Sequence, residues 1–250
     1  MQILKSIKAQ LAIYLTCFAI FLAIKDKSII FLLTTGLAVF SALCVESVIL
    51  YFRTKVWKVT ASSIITGLII GYVLSSDQVW WKFLVAGALA ITSKYLIVFK
   101  KKHIFNPAAF GIFLTLILFG ASTQWKGTYA WYILLPCGIY FAQKIGKLEI
   151  VIGYLLASFV LFGTQAIIYR IPLGHIFGYL SYFYIFVMII EPKTSPVKPR
   201  GKIIFGVGIA VLIFIFTEFG VKFDVELFSL LILNMAVLLI NKVTFKKGVA

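Results

Sequence analysis

Apolar residues run along this chain in long blocks, separated by short polar turns that carry Lys, Gly and Pro. The blocks predict membrane-crossing helices near residues 9–24, 29–52, 61–75, 83–99, 108–121, 128–142, 149–168, 174–190, 203–217 and 227–241. Several hold only about 15 residues, short of the ~20 that cross a 30 Å hydrocarbon layer. Those need interfacial residues at their ends, local thinning, or a polar cavity at one mouth. Trp80, Trp81, Trp125 and Trp131 fall near predicted helix ends on one side, as an aromatic belt places them. The pattern predicts an all-α polytopic membrane protein of about ten transmembrane helices, with 1–250 forming one integral membrane domain.

Composition sharpens this. Of 250 residues, 62% are hydrophobic and 13% charged, against about 25% charged in soluble domains. A soluble enzyme, a disordered chain and a nucleic-acid-binding domain are excluded. The net charge of +16 therefore reads as topology rather than as a polyanion site. With the N terminus cytoplasmic, seventeen basic residues fall on the cytoplasmic side, among them Lys5, Lys8, Arg53, Lys100–Lys102 and Lys247. Six fall opposite, namely Lys25, Lys27, Lys82, Lys126, Arg170 and Lys222, and Lys94 lies inside a span. That bias predicts an even number of crossings and a multi-pass protein of the prokaryotic plasma membrane, both termini cytoplasmic. Lys5 and Lys8 before an apolar stretch resemble a secretion signal, but no small-residue cleavage site follows, so a retained first helix is expected.

Candidate chemistry is sparse. Cys17, Cys44 and Cys137 sit at irregular spacing in apolar blocks and read as small buried side chains. His103 and His175 make no zinc motif, so no metal site is expected. There is no Walker sequence and no GxGxxG opening a soluble helix. No catalytic set emerges, and any soluble chemistry falls to partners.

Four constellations remain. In His103–Gly111, Asn106 can cap the helix that Pro107 starts; it is either a plain helix start or a break at membrane depth whose free N–H groups seat an anion or a polar ring. In Glu191–Pro196, Pro192 and Pro196 enclose Thr194 and Ser195 in a stiff turn, and Pro192 holds Glu191 out of the helical region. The turn is a rigid loop, or a rigid loop that lines a site. Glu46 lies about 10 Å of helix rise before Arg53, and Lys94 about 9 Å before Lys100. Lys94 can snorkel alone, but the matched depths favour an intramembrane Glu46–Lys94 pair. Finally, Ser62 through Thr66 to Gly71 forms a small, polar face suited to packing or to a cavity wall.

Taken in order, these elements resemble the RnfD/NqrB family, the membrane subunits of the Rnf and sodium-translocating NADH:quinone reductase complexes. The resemblance runs from about 40 to 241. It rests on Glu46 before Arg53, the Ser62–Gly71 helix, Lys94, Phe105–Asn106–Pro107–Ala108–Ala109, and Glu191–Pro192–Lys193–Thr194–Ser195–Pro196 before Gly201. It implies two inverted five-helix halves, 1–127 and 128–250. It also implies a subunit, not catalytic alone, that carries electrons through FMN or another flavin, coupled in some complexes to Na⁺ or H⁺ movement. Thr66, Asn106, Thr194 and Ser195 become flavin-region candidates. Family members attach FMN to a threonine of a Ser–Gly–Ala–Thr motif; here the nearest stretch is Gly120–Ala121–Ser122–Thr123, with Thr128 just beyond. The altered order makes the expectation a noncovalent flavin or none. The expected partners are other membrane and soluble redox subunits and the lipid bilayer. The competing expectation is a transporter or channel for a small polar solute or vitamin.

Overall fold

A computed structural model describes residues 6–100 and 102–246. Lys5, Lys101 and Lys247 of the topology count lie outside them. The chain divides into two compact units, Met1–Gly127 and Thr128–Ala250.

The first unit contains α1 (Ile7–Lys25), α2 (Ile29–Thr54), α3 (Ala61–Val73), α4 (Trp80–Leu96) and α5 (Pro107–Phe119). A two-residue hairpin, β1 (Val98–Phe99) and β2 (Lys102–His103), pairs antiparallel before α5. The second contains α6 (Trp131–Lys144), α7 (Leu148–Ile168), α8 (Pro199–Glu218) and α9 (Val225–Lys246). Among the described residues five helices (α1, α2, α7, α8 and α9) are long and apolar enough to cross a membrane, and α3 and α5 are shorter apolar helices. The fold is an all-α polytopic membrane fold. Its polarity is inverted relative to a soluble domain: Ile24, Phe40, Leu156 and Leu239 face outward, while Thr34, Thr35, Ser41 and Glu46 are buried.

Four helix ends show a local cause. Thr60 caps α3, its hydroxyl accepting from Ser63 N at 3.2 Å. Asn106 caps α5, Oδ1 accepting from Ala109 N at 3.1 Å with Pro107 in the first turn, and Gly120 closes α5 in the left-handed region. Asp224 caps α9 through Leu227 N at 2.9 Å.

One predicted span takes another form. Residues 174–190 do not make a single α-helix; a 3-10 turn covers Leu173–Tyr179, and a π segment covers Tyr184–Met188. Pro172, Gly174 and Gly178 explain the break, because glycine and proline weaken a helix whatever the hydropathy around them. The π segment has a packing partner: a Cβ on Gly138 of α6 would come within 2.3 Å of the Phe186 ring.

Helices meet at small residues. A Cβ on Gly206 of α8 would lie 2.3 Å from Ile150 O of α7, and one on Gly153 of α7 would lie 2.9 Å from Ile203 O of α8. The two glycines let these backbones touch, the usual route to tight packing inside lipid, where burying apolar surface gives no drive.

Candidate functional sites in the two units

In the first unit the polar centre is Glu46. Its Oε1 accepts from Lys94 Nζ and from the Tyr95 hydroxyl at 2.8 Å, and its Oε2 accepts from the Thr60 hydroxyl. Lys94 also donates to Ser62 Oγ at 3.1 Å. The side chains are 2% and 10% exposed for Glu46 and Lys94. A lone charge at depth costs about 3 kcal/mol or more; here each ion meets its opposite and the remaining lone pairs meet hydroxyls. The network joins α2, α4 and the start of α3. It acts as a clasp, since every donor converges on one already saturated carboxylate.

The far end of α3 is built differently. Thirteen residues give it roughly 20 Å of rise, less than the hydrocarbon thickness, and its last carbonyls end inside the unit. The segment after α5 satisfies them. Gln124 N donates to Val73 O at 2.8 Å and Lys126 N to Tyr72 O at 2.7 Å. The Gln124 side chain donates to Gly71 O at 3.3 Å and accepts from Ser76 N at 3.2 Å. Thr123 pairs with Leu74 in this short bridge. Lys126 also forms an ion pair with Asp26 at 3.0 Å, beyond α1.

In the second unit the Glu191–Pro196 turn is pinned from three sides. Lys147 Nζ donates to Pro196 O at 2.7 Å, Asn234 Nδ2 to Thr194 O at 3.0 Å, and Val197 N to Asn241 Oδ1 at 3.1 Å. Within the turn, Ser195 Oγ donates to Glu191 O at 2.6 Å and Thr194 Oγ1 to Glu191 Oε2 at 3.2 Å. Beside it, Lys202 of α8 pairs with Glu149 of α7 at 3.1 Å.

Sequence reasoning named Glu46, Lys94 and the turn, but not Tyr95, Thr60, Gln124, Lys147 or Asn234. The polar Asn234 inside an apolar span was an available signal; Lys147 and Gln124 gave none, because their partners lie 49 and 53 residues away. The cysteines differ from expectation. Cys17 and Cys44 are exposed and Cys137 is half-buried, all three as free thiols. The outer surface of a membrane helix is apolar, so a thiol there costs nothing and its hydrophobicity does not imply burial.

The profile of the NQR2, RnfD, RnfE family matches residues 118–249, just over half of the chain. The chain belongs to this family. Three relatives are named as the RnfD-type component of an ion-translocating oxidoreductase complex. The one from Shewanella amazonensis is 29% identical over 130 residues, 50% of this chain and 37% of the relative. That from Actinobacillus succinogenes is 34% identical over 94 residues (37% and 26%), and that from Aeromonas hydrophila 32% over 76 (30% and 22%). The match thus spans between 22% and 37% of the length of these relatives. In this NQR2/RnfD/RnfE member the matched region holds the pinned Glu191–Pro196 turn and the Thr123 side of the bridge, while Leu74 and the Glu46 clasp precede it.

The residues offered as flavin-region candidates fall in both units, Thr66, Asn106 and Thr123 in the first and Thr194 and Ser195 in the second. Asn106 and Thr123 stand at opposite ends of α5, which is roughly 20 Å long. The Thr66 hydroxyl donates to Ser62 O at 2.9 Å within α3, and Asn106 Oδ1 serves its own helix cap. Thr194 and Ser195 spend their hydroxyls on Glu191.

Proposed function

We propose that the chain serves as a non-autonomous membrane component of an ion-translocating oxidoreductase complex, helping to carry electrons between partner subunits, with Na⁺ or H⁺ as the coupled ion. The observation that carries this reading is the family match over 118–249, in a chain whose fold is a polytopic helical framework. The relatives' names supply the complex and the ion movement. The basic residues support a prokaryotic plasma-membrane location with cytoplasmic termini.

The redox group of this reading is a flavin, held noncovalently, which when bound supplies one- and two-electron chemistry. The chain's own contribution is rigidity and dryness: the clasp at Glu46 and the pinned turn at Thr194–Ser195 fix their surroundings without a mobile polar loop. A visible spectrum of the purified protein tests the reading. Absorption near ~450 nm that bleaches with dithionite and leaves with acid precipitation is expected. Colour that stays with the precipitate means covalent attachment instead, and its loss in Thr123→Ala or Thr128→Ala would locate the tether.

The broken Leu173–Met188 segment favours one alternative, a transporter for a small polar solute, because interrupted helices suit a midplane site. A colourless protein whose melting temperature rises with such a solute replaces the redox reading with that one.

A further inference from the structure

Helices α2 and α4 are in contact around Ser41 and Gly87. The touching point is Ser41 Oγ donating to Leu84 O at 2.6 Å, where a Cβ on Gly87 would come within 2.9 Å of Ser41 Cβ. Beyond it the helices enclose an open groove of about 480 Å³, walled by Cys44, Val45, Val48 and Ile49 of α2 and by Thr92 and Leu96 of α4. Tyr95 and Arg53 complete it. The inner wall is sealed, because the Tyr95 hydroxyl is committed to Glu46.

From Cys44 to Arg53 the groove follows roughly 14 Å of helix, about half of a 30 Å hydrocarbon layer. That is the depth of one leaflet. Arg53 stands at the mouth with its guanidinium 4.9 Å from the Tyr95 ring centroid. Lys55 and Lys58 follow on the exposed turn after α2. Among the described residues none of these three cations forms an ion pair.

An apolar slot one leaflet deep with Arg53 in its wall, followed along the chain by Lys55 and Lys58, is complementary to one class of molecule. We propose that this groove is a binding site for an anionic phospholipid, with an acyl chain along Cys44–Ile49 and Leu96 and the phosphodiester at Arg53. The apolar wall distinguishes the lipid from free phosphate, and the excess positive charge disfavours a zwitterionic headgroup, whose own cation would face Arg53 and Lys55. The lipid would lie directly outside Tyr95, separated from the Glu46–Lys94 pair by a single side chain. This inference does not depend on the redox reading.

Native mass spectrometry of the detergent-solubilised full chain tests it, with phosphatidylglycerol, phosphatidylcholine of the same chains, and inorganic phosphate as probes. One phosphatidylglycerol should be retained at least tenfold more tightly than phosphatidylcholine. Arg53→Gln should abolish that preference, and Cys44→Phe, which fills the slot and keeps every charge, should lower retention of the lipid at least tenfold. Both positions are exposed, and lipid-free melting temperatures within a few degrees of the parent's would confirm that the variants fold. If one variant does not fold, the other decides. Equal retention of the two lipids, unchanged binding in a folded variant, or displacement of the lipid by phosphate alone would each overturn the proposal. A neutral ligand blocked by Cys44→Phe but indifferent to Arg53→Gln would overturn it as well, and would point to a quinone or a partner helix.

Discussion

Tyr95 and Glu46 meet through one hydrogen bond, hydroxyl to Oε1 at 2.8 Å, and that bond stands between a buried ion pair and the groove outside it. Lys94 and Thr60 supply the remaining donors. The carboxylate is therefore held from α3 and α4 together, and its charge is balanced before any ligand arrives.

Removing one partner of such a pair leaves the other charge buried. Glu46→Gln and Lys94→Met are each expected to destabilise the protein by about 3–5 kcal/mol. The double variant should lose less than the sum, with a coupling of about 1–3 kcal/mol. Chemical unfolding of the four proteins in one detergent measures this, and strictly additive losses would count against the pair as a unit.

The cap of α5 gives a smaller and cleaner effect. Asn106→Ala removes the acceptor of Ala109 N and should cost about 1 kcal/mol. Asn106→Asp keeps the acceptor and should recover most of the loss. If Asp and Ala lower the melting temperature equally, Asn106 does something besides capping.

At the α7–α8 crossing, Gly206→Leu cannot be accommodated, because even its Cβ would lie 2.3 Å from Ile150 O. A large fall in melting temperature and a loss of well-folded protein by size-exclusion chromatography are expected. Gly174→Ala is the control, since nothing lies within 4 Å of its added Cβ; it should leave both readouts unchanged.

The turn at Glu191–Pro196 should loosen when its anchors are removed. Asn234→Leu deletes the donor to Thr194 O and Lys147→Met the donor to Pro196 O. An interhelical hydrogen bond in a membrane protein contributes about 0.6–2 kcal/mol, so global folding should survive. A cysteine placed at the exposed Val197 should then react faster with maleimide in each variant. An unchanged rate would show that the turn holds itself.

The long helices were legible because an apolar run of about 20 residues has few alternatives in lipid. The start of α5 was legible too, since Asn106–Pro107 is a local signal, whereas α8 begins at Pro199, four residues before the expected 203. The depth argument set Glu46 and Lys94 level with one another, and the structure brings them together through donors that hydropathy does not weigh. Two things were not legible. α3 ends at Val73, close to the expected span of 61–75, but what satisfies its last carbonyls was hidden: Gln124 lies 53 residues from the Gly71 carbonyl, and no window of sequence joins them. The stretch 174–190 has the hydropathy of a helix, but Pro172, Gly174 and Gly178 govern its backbone.

The bridge between Leu74 and Thr123 has a mechanical implication. Because the strand-like stretch around Gln124 completes the last turn of α3, the two cannot shift separately without stranding several backbone groups in an apolar interior. Displacing the stretch around Thr123 therefore exposes the last carbonyls of α3, the same helix whose first turn is capped by Thr60 beside the Glu46 carboxylate.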